Sequence, residues 1–190
     1  MPFADRFTVA LIAATLALAA APAFAAEPAP IVSVTPDPLG AAGVIHGQVD
    51  IGAPRAVVWA IMTDCARTAS LMINVKYCHV LQRDPAGRWD VREQVSKASL
   101  LPSVRVVMRS DFDAPHTVQF HRTDGDFKIR EGEWRLEPLD GGGRTRVFYV
   151  SRMSAPFAAP GFLMRAALRT DLLATLVNLR KAGELEAAAH

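Results

Sequence analysis

The chain has two cysteines, two tyrosines and almost no excess of charge, with 21 Lys and Arg against 19 Asp and Glu. Each shortage removes a class of function. The formal net charge of +2 is spread along the chain, so there is no basic cluster of the kind a nucleic-acid protein presents. Neither Cys65 nor Cys78 belongs to a CxxC pair, and thiol redox catalysis is not indicated. No GxSxG, HExxH, P-loop or GxGxxG stretch occurs, which removes the usual nucleophile elbow, zinc-protease helix and nucleotide cradle. "DGGGRT", from Asp140, is glycine-rich but reads as a hairpin turn. His46, His79, His116 and His121 lack the paired spacing of a metal site, and His121 with Asp111 reads as a surface pair across a hairpin. The sequence calls for neither a metal nor another cofactor.

What the chain does have begins with an apolar run, Phe7 to Ala21, behind Arg6 and ahead of Ala23-Phe24-Ala25. A positive start, an apolar centre and a small-x-small site describe a secretory signal peptide over residues 1–25, cleaved after Ala25. The run is about 15 residues, short of the ~20 a spanning helix needs. Residues 26–43, "AEPAPIVSVTPDPLGAAG", carry four prolines and read as a Pro-rich linker. The rest, residues 44–185, suits one domain with one core. Export, most simply to a periplasm, places Cys65 and Cys78 in an oxidising compartment, where a disulfide between them is expected.

In "VIHGQVDI" the residues Ile45, Gly47, Val49 and Ile51 alternate with polar ones, the pattern of a half-buried strand. Pro54 then opens a helix with Val57, Val58, Ile61 and Met62 at helical spacing, and a second short helix closes near Asn74. Six strand candidates follow, paired about "PAG", "AP" and "DGGG". Runs of strands joined by short turns describe an antiparallel meander. Pro160 starts a long helix with Phe162, Leu168, Leu172, Leu176 and Leu179 on one face, widened by Leu163, Leu173 and Val177. The predicted fold class is α+β: a curved antiparallel sheet of about seven strands wrapped around a long C-terminal helix, with two short helices after the first strand.

"GDFKIREGEWRLEPL", from Gly125 to Leu139, changes phase midway. Phe127 and Ile129 share one face, Trp134 and Leu136 the other. One extra residue flips every later side chain of a strand, and Gly132 stands at the change. A bulge there, bending the sheet, is the expectation; a flat strand with both faces half covered is the alternative.

These segments resemble a known family. "IGAPRAVVWAIMTD", "CHVL", "GDFKIREGEWRLEPL", "TRVFYV" and the final helix, in that order over residues 44–183, resemble the START/Bet v 1-like helix-grip (SRPBCC) superfamily. The likeness is greatest to its polyketide cyclase/dehydrase and coenzyme Q-binding branch. The resemblance implies a sheet gripping the last helix with an apolar cavity between them. It does not name the ligand, because one fold serves lipid carriers, hormone receptors, cyclases and hydroxylase components. The Cys and His pairs of the iron–sulfur members are absent.

Candidate ligand-binding residues come from polar positions in strand centres. Glu93 shares a face with Trp89, Val91 and Val95. Pointing inward it would need a partner, since a lone buried charge is too costly. Arg109 is the candidate, with Tyr149 and Trp134 completing a set that orients a ligand's polar head. Surface cross-strand charge pairs are the alternative. Residues 155–165 read as a packed connection, or as a lid with Phe157 and Phe162 at the mouth or in transient contact with a membrane. No catalytic residue is assigned. Three functions stay open: an exported carrier of a hydrophobic small molecule, of lipid, isoprenoid or quinone type; a cyclase or isomerase using Glu93 or Tyr149; and a protein-interaction module acting through the outer face of the sheet.

Overall fold

The computed structural model describes residues 28–97, 102–154, 157 and 159–189; the signal peptide expected over 1–25 lies outside them. The elements run β1 (Ile31–Thr35), β2 (Gly43–Ile51), α1 (Arg55–Thr63), a 3-10 turn (Cys65–Arg67), α2 (Thr68–Leu71), β3 (Val75–Arg83), β4 (Trp89–Ser96), β5 (Val104–Asp113), β6 (Thr117–Gly125), β7 (Arg130–Leu139), β8 (Arg144–Met153) and α3 (Gly161–Ala187). All strands join one sheet in the order β1-β2-β8-β7-β6-β5-β4-β3, and every neighbouring pair is antiparallel. The six-strand meander is therefore present. β2 closes onto β8 and brings α1 and α2 back across the concave side, beside α3.

The sheet has eight strands rather than about seven. The additional strand, β1, lies inside the stretch read as a linker. "IVSVT" is rich in β-branched residues, which favour a pleated, half-buried surface, and it pairs with β2 from Ile31↔Gln48 to Thr35↔Val44. The prolines that suggested a tether, Pro30 and Pro36, bracket the strand instead of interrupting it.

Inward residues of β2 and α3 meet at the centre of the core. Ile45, Val49 and Ile51 pack with Val58 and Ile61 of α1, Val147 of β8, and Leu168, Leu172, Leu176 and Leu179 of α3. α3 lies close to the sheet at Gly47, where a Cβ would sit 2.7 Å from Leu172 Cδ2. The buried stripe of α3 is narrower than its sequence suggests. Leu163, Leu173 and Val177 remain exposed, because the sheet reaches only one face of a helix whose residues turn about 100° each.

Cys65 and Cys78 form a disulfide, with Cα atoms 5.4 Å apart. It joins the 3-10 turn after α1 to edge strand β3. In the chain-entropy view a closed loop of this size stabilises by about 3 kcal/mol.

The bulge expected at Gly132 is absent. β7 pairs with β6 and with β8 in unbroken register through Gly132. The phase change has a simpler cause: β6 ends at Gly125, and Phe127 and Ile129 belong to the connection, not to the strand. Within β7 the inward residues Arg130, Gly132, Trp134 and Leu136 keep one phase. Register shifts occur elsewhere, between Val75 and Tyr77, between Val80 and Gln82, and between Val107 and Met108.

Candidate functional site

Between the concave face of the sheet and α3 lies a cavity of about 660 Å³, within the ~300–1,000 Å³ of small-molecule sites. Its walls are mostly apolar: Ile45 from β2, Val104 and Val106 from β5, Met153 from β8, and Met164, Leu168 and Leu172 from α3. Ile73 and Leu163 line it and are 50% and 53% exposed, so they mark its open rim. Phe157 also lines it, whereas Phe162 is exposed.

At the inner end the cavity narrows. Met72, Gln94, Arg130, Trp134 and Thr175 line both the main chamber and a smaller chamber of about 80 Å³. Arg130, the first residue of β7, donates from Nη1 to Tyr149 Oη at 3.2 Å, and its guanidinium carbon lies 5.4 Å from the centre of the Phe120 ring. Trp134 stacks at a tilt on Tyr149, ring centres 4.2 Å apart. The Tyr149 hydroxyl and the Phe120 ring thus flank the Arg130 head where it lines the cavity.

The small chamber is polar on its β4 side. Buried Arg92 and Gln94 line it, with buried Asp90 beside Arg92 on the same face of β4. Arg92 forms an ion pair with Asp90 in which its Nε donates at 2.9 Å. Its Nη2 also donates to the Thr63 carbonyl at 3.1 Å, and it lies 5.8 Å from the Phe112 ring centre. The Arg92 charge is thus matched within the protein.

On the other wall Asp171 of α3 accepts two hydrogen bonds from Asn74 Nδ2, each 3.1 Å, tying the loop after α2 to α3 near the rim. Burial holds the Asp171 carboxyl above its ordinary value of 3.8, against the opposing effect of the Asn74 bond. The folded protein therefore keeps this proton to higher pH than the unfolded chain. The resulting stability is full below 3.8 and is lost as pH rises through the raised folded value. Asp171→Asn is expected to stabilise the protein at neutral pH and to flatten stability between mildly acidic and neutral pH, by thermal unfolding across that range. An unchanged pH profile in the variant would remove this role.

Of the four residues proposed from sequence, the structure brings Trp134 and Tyr149 to the cavity wall. Glu93 and Arg109 are a correction. Both lie on the convex face and they do not pair. Glu93 bonds Arg105, which also bridges to Asp124 at 2.8 Å. Arg109 pairs with Asp111 at 2.8 Å and covers the Trp89 ring at 4.4 Å. The reason is that β4 is turned against its hydropathy: Trp89, Val91 and Val95 face outward, and Asp90, Arg92 and Gln94 face inward. Arg130, Gln94, Asn74 and Asp171 escaped the sequence reading. One signal for Arg130 was present, since stepping back by two from Leu136 and Trp134 through Gly132 reaches it.

The convex face carries further ion pairs, Arg152 with Asp37 and Glu131, and Arg146 with Asp50. These do not favour an interaction module built on an apolar outer patch.

A family model for polyketide cyclase / dehydrase and lipid transport matches residues 51–180. Solved structures share the fold at low identity. A STAR-related lipid transfer protein from Xanthomonas axonopodis superposes with a TM-score of 0.68 at 18% identity, covering 80% of this chain and 92% of its own. Human StAR-related lipid transfer protein 5 gives 0.66 at 14%, covering 83% of each chain. The Zhui aromatase/cyclase from a Streptomyces species gives 0.60 at 18%, covering 76% and 93%. No curated protein matches the sequence.

Proposed function

The chain belongs to the polyketide cyclase/dehydrase and lipid transport family, and we propose that it is an exported carrier of a hydrophobic small molecule, of lipid, isoprenoid or quinone type. The observation that carries this reading is the 660 Å³ chamber with its mostly apolar walls. Burying apolar ligand surface there stabilises a complex by about 2.5 kcal/mol per 100 Å², before the cost of immobilising the ligand. Trp134 and Tyr149 are the proposed ligand contacts. The disulfide supports export, and among the described residues no helix is long and apolar enough to cross a membrane. Ligand exchange through the rim would bring exposed Phe162, Leu163 and Ile73 into transient contact with a membrane, measured by co-sedimentation with lipid vesicles; protein that stays in the supernatant at every lipid composition would remove that contact.

The deciding experiment is native mass spectrometry of protein recovered from the exported fraction, with solvent extraction of bound material. A chain starting at Ala26 with one lipophilic molecule per protein is the expected result. An empty protein that takes up no lipid or quinone would overturn the carrier reading. Val106→Phe supplies a second check: its ring enlarges into the chamber and is expected to weaken uptake at least about tenfold, the equivalent of 1.4 kcal/mol, with little change in Tm. Uptake at the wild-type level would place the ligand elsewhere.

Catalysis has one observation in its favour, the half-buried Asp171 carboxyl at the cavity wall with its raised affinity for a proton. Under this second reading Asp171 would serve as an acid on a polyketide-like chain. Loss of water from such a chain with the wild type, absent with Asp171→Asn, would decide for it.

A further inference from the structure

We propose that the molecule held in the cavity is an amphiphile with a carboxylate head, bound head-first, with the carboxylate on Arg130 at the neck. The proposal rests on the carrier reading above and names the chemical class of its ligand. Three observations lead to it.

The first is charge. Among the described residues, three ionic groups line the two chambers: Arg92, Arg130 and Asp171. Arg92 is already paired with buried Asp90. Asp171 is engaged by Asn74 on the α3 wall, and its burial favours the neutral form. Arg130 has a hydrogen bond to Tyr149 and the Phe120 ring beside it, and among the described residues no carboxylate pairs with it. A guanidinium cannot shed its charge at any ordinary pH, so this end of the cavity presents a positive group that an anion would satisfy.

The second is geometry. A guanidinium presents parallel N–H donors that match the two oxygens of a carboxylate. Gln94 stands at the same neck, its amide directed toward the wall that Cys78 shares, with Nε2 at 4.0 Å from Cys78 Sγ. That contact is weak, and the amide can turn to the head group instead. The third is size. Beyond the neck the chamber measures about 80 Å³ against about 660 Å³ for the main chamber. A carboxylate fits there. A phosphodiester bearing choline or glycerol is bulkier and suits the main chamber better than the neck.

The test compares two ligands of equal chain length that differ at the head: saturated fatty acids and the corresponding primary alcohols, from about ten to eighteen carbons, on the mature protein at neutral pH. Binding is followed by Trp134-dependent fluorescence and by calorimetry. The expected result is that the acid binds at least tenfold more tightly than the alcohol. In Arg130→Gln the acid should fall to the level of the alcohol, with the alcohol unchanged. Equal binding of acid and alcohol by the wild type would overturn the carboxylate assignment while leaving the carrier intact, and this comparison needs no variant to fold. Equal losses for both ligands in Arg130→Gln would overturn it too. Failure of every acid and alcohol, together with an empty exported protein, would remove the carrier reading and this inference with it.

Discussion

Replacing Asp90 by alanine is expected to cost about 3–5 kcal/mol of folding stability, the usual effect of removing one member of a buried ion pair. Asp90 is 2% exposed and Arg92 6%. They stand two residues apart on β4, so their side chains leave the sheet on the same face and meet beneath α1. Without the carboxylate, Arg92 would keep the Thr63 carbonyl and the face of the Phe112 ring. The Arg92 side chain is only 7% exposed, so solvent replaces little of the lost pairing. The expectation is a large fall in the urea midpoint with the slope unchanged. Replacing both residues, Asp90→Leu with Arg92→Met, removes the charges together and should recover most of the loss, because a buried pair and well-packed apolar residues of similar volume are close in stability. A double-mutant cycle measures the coupling directly. A loss below 1 kcal/mol in Asp90→Ala would mean that water reaches Arg92, and the chamber would then have to open to solvent on the β4 side.

The same pair explains why half of the proposed site was misplaced from sequence. Burial usually sorts a strand into an apolar inner face and a polar outer one, and β4 read by that rule puts Glu93 inside. The rule fails where a sheet faces a cavity and a buried ion pair instead of a packed core. Asp90, Arg92 and Gln94 form a polar inner stripe, and Trp89 finds cover outside under Arg109. The fold itself was legible, because it depends on periodicity alone. Period two in the meander, helical spacing in Leu168, Leu172, Leu176 and Leu179, and the turn residues between strands all survive in the structure. The disulfide followed from the count of cysteines and the expected compartment. β1 was obscured by its flanking prolines. The strand period could have turned Arg130 inward, but that no carboxylate stands beside it among the described residues, and that Asp171 is partly buried against Asn74, are not properties of a short stretch of sequence.

Gly132 gives the second large effect, and its role differs from the one its sequence context suggests. The register runs through it without a bulge, so its glycine answers to space. A Cβ at this position would lie 2.3 Å from the Val150 carbonyl oxygen, 2.6 Å from Ser151 Cβ and 2.8 Å from the tip of the Phe120 ring. Phe120 can turn; the β8 backbone cannot retreat without breaking the ladder that joins β7 to β8. Phe120 is also the ring against which Arg130 lies, two residues earlier on the same face of β7. Gly132→Ala is therefore expected to cost about 3 kcal/mol and Gly132→Val about 4 kcal/mol or more, at the upper end of overpacking effects. Thermal unfolding of the two variants tests the order as well as the size. If alanine is tolerated with no fall in Tm, β8 yields at Ser151 and the close approach is not what demands glycine. If both variants fold but are weakened, the strands have been forced apart beside the neck. The displaced Phe120 should then loosen Arg130, so that the preference for acid over alcohol falls in Gly132→Ala while the affinity for the alcohol holds. Such a split would tie the tight strand packing to the placement of the one cavity cation that lacks an acidic partner among the described residues.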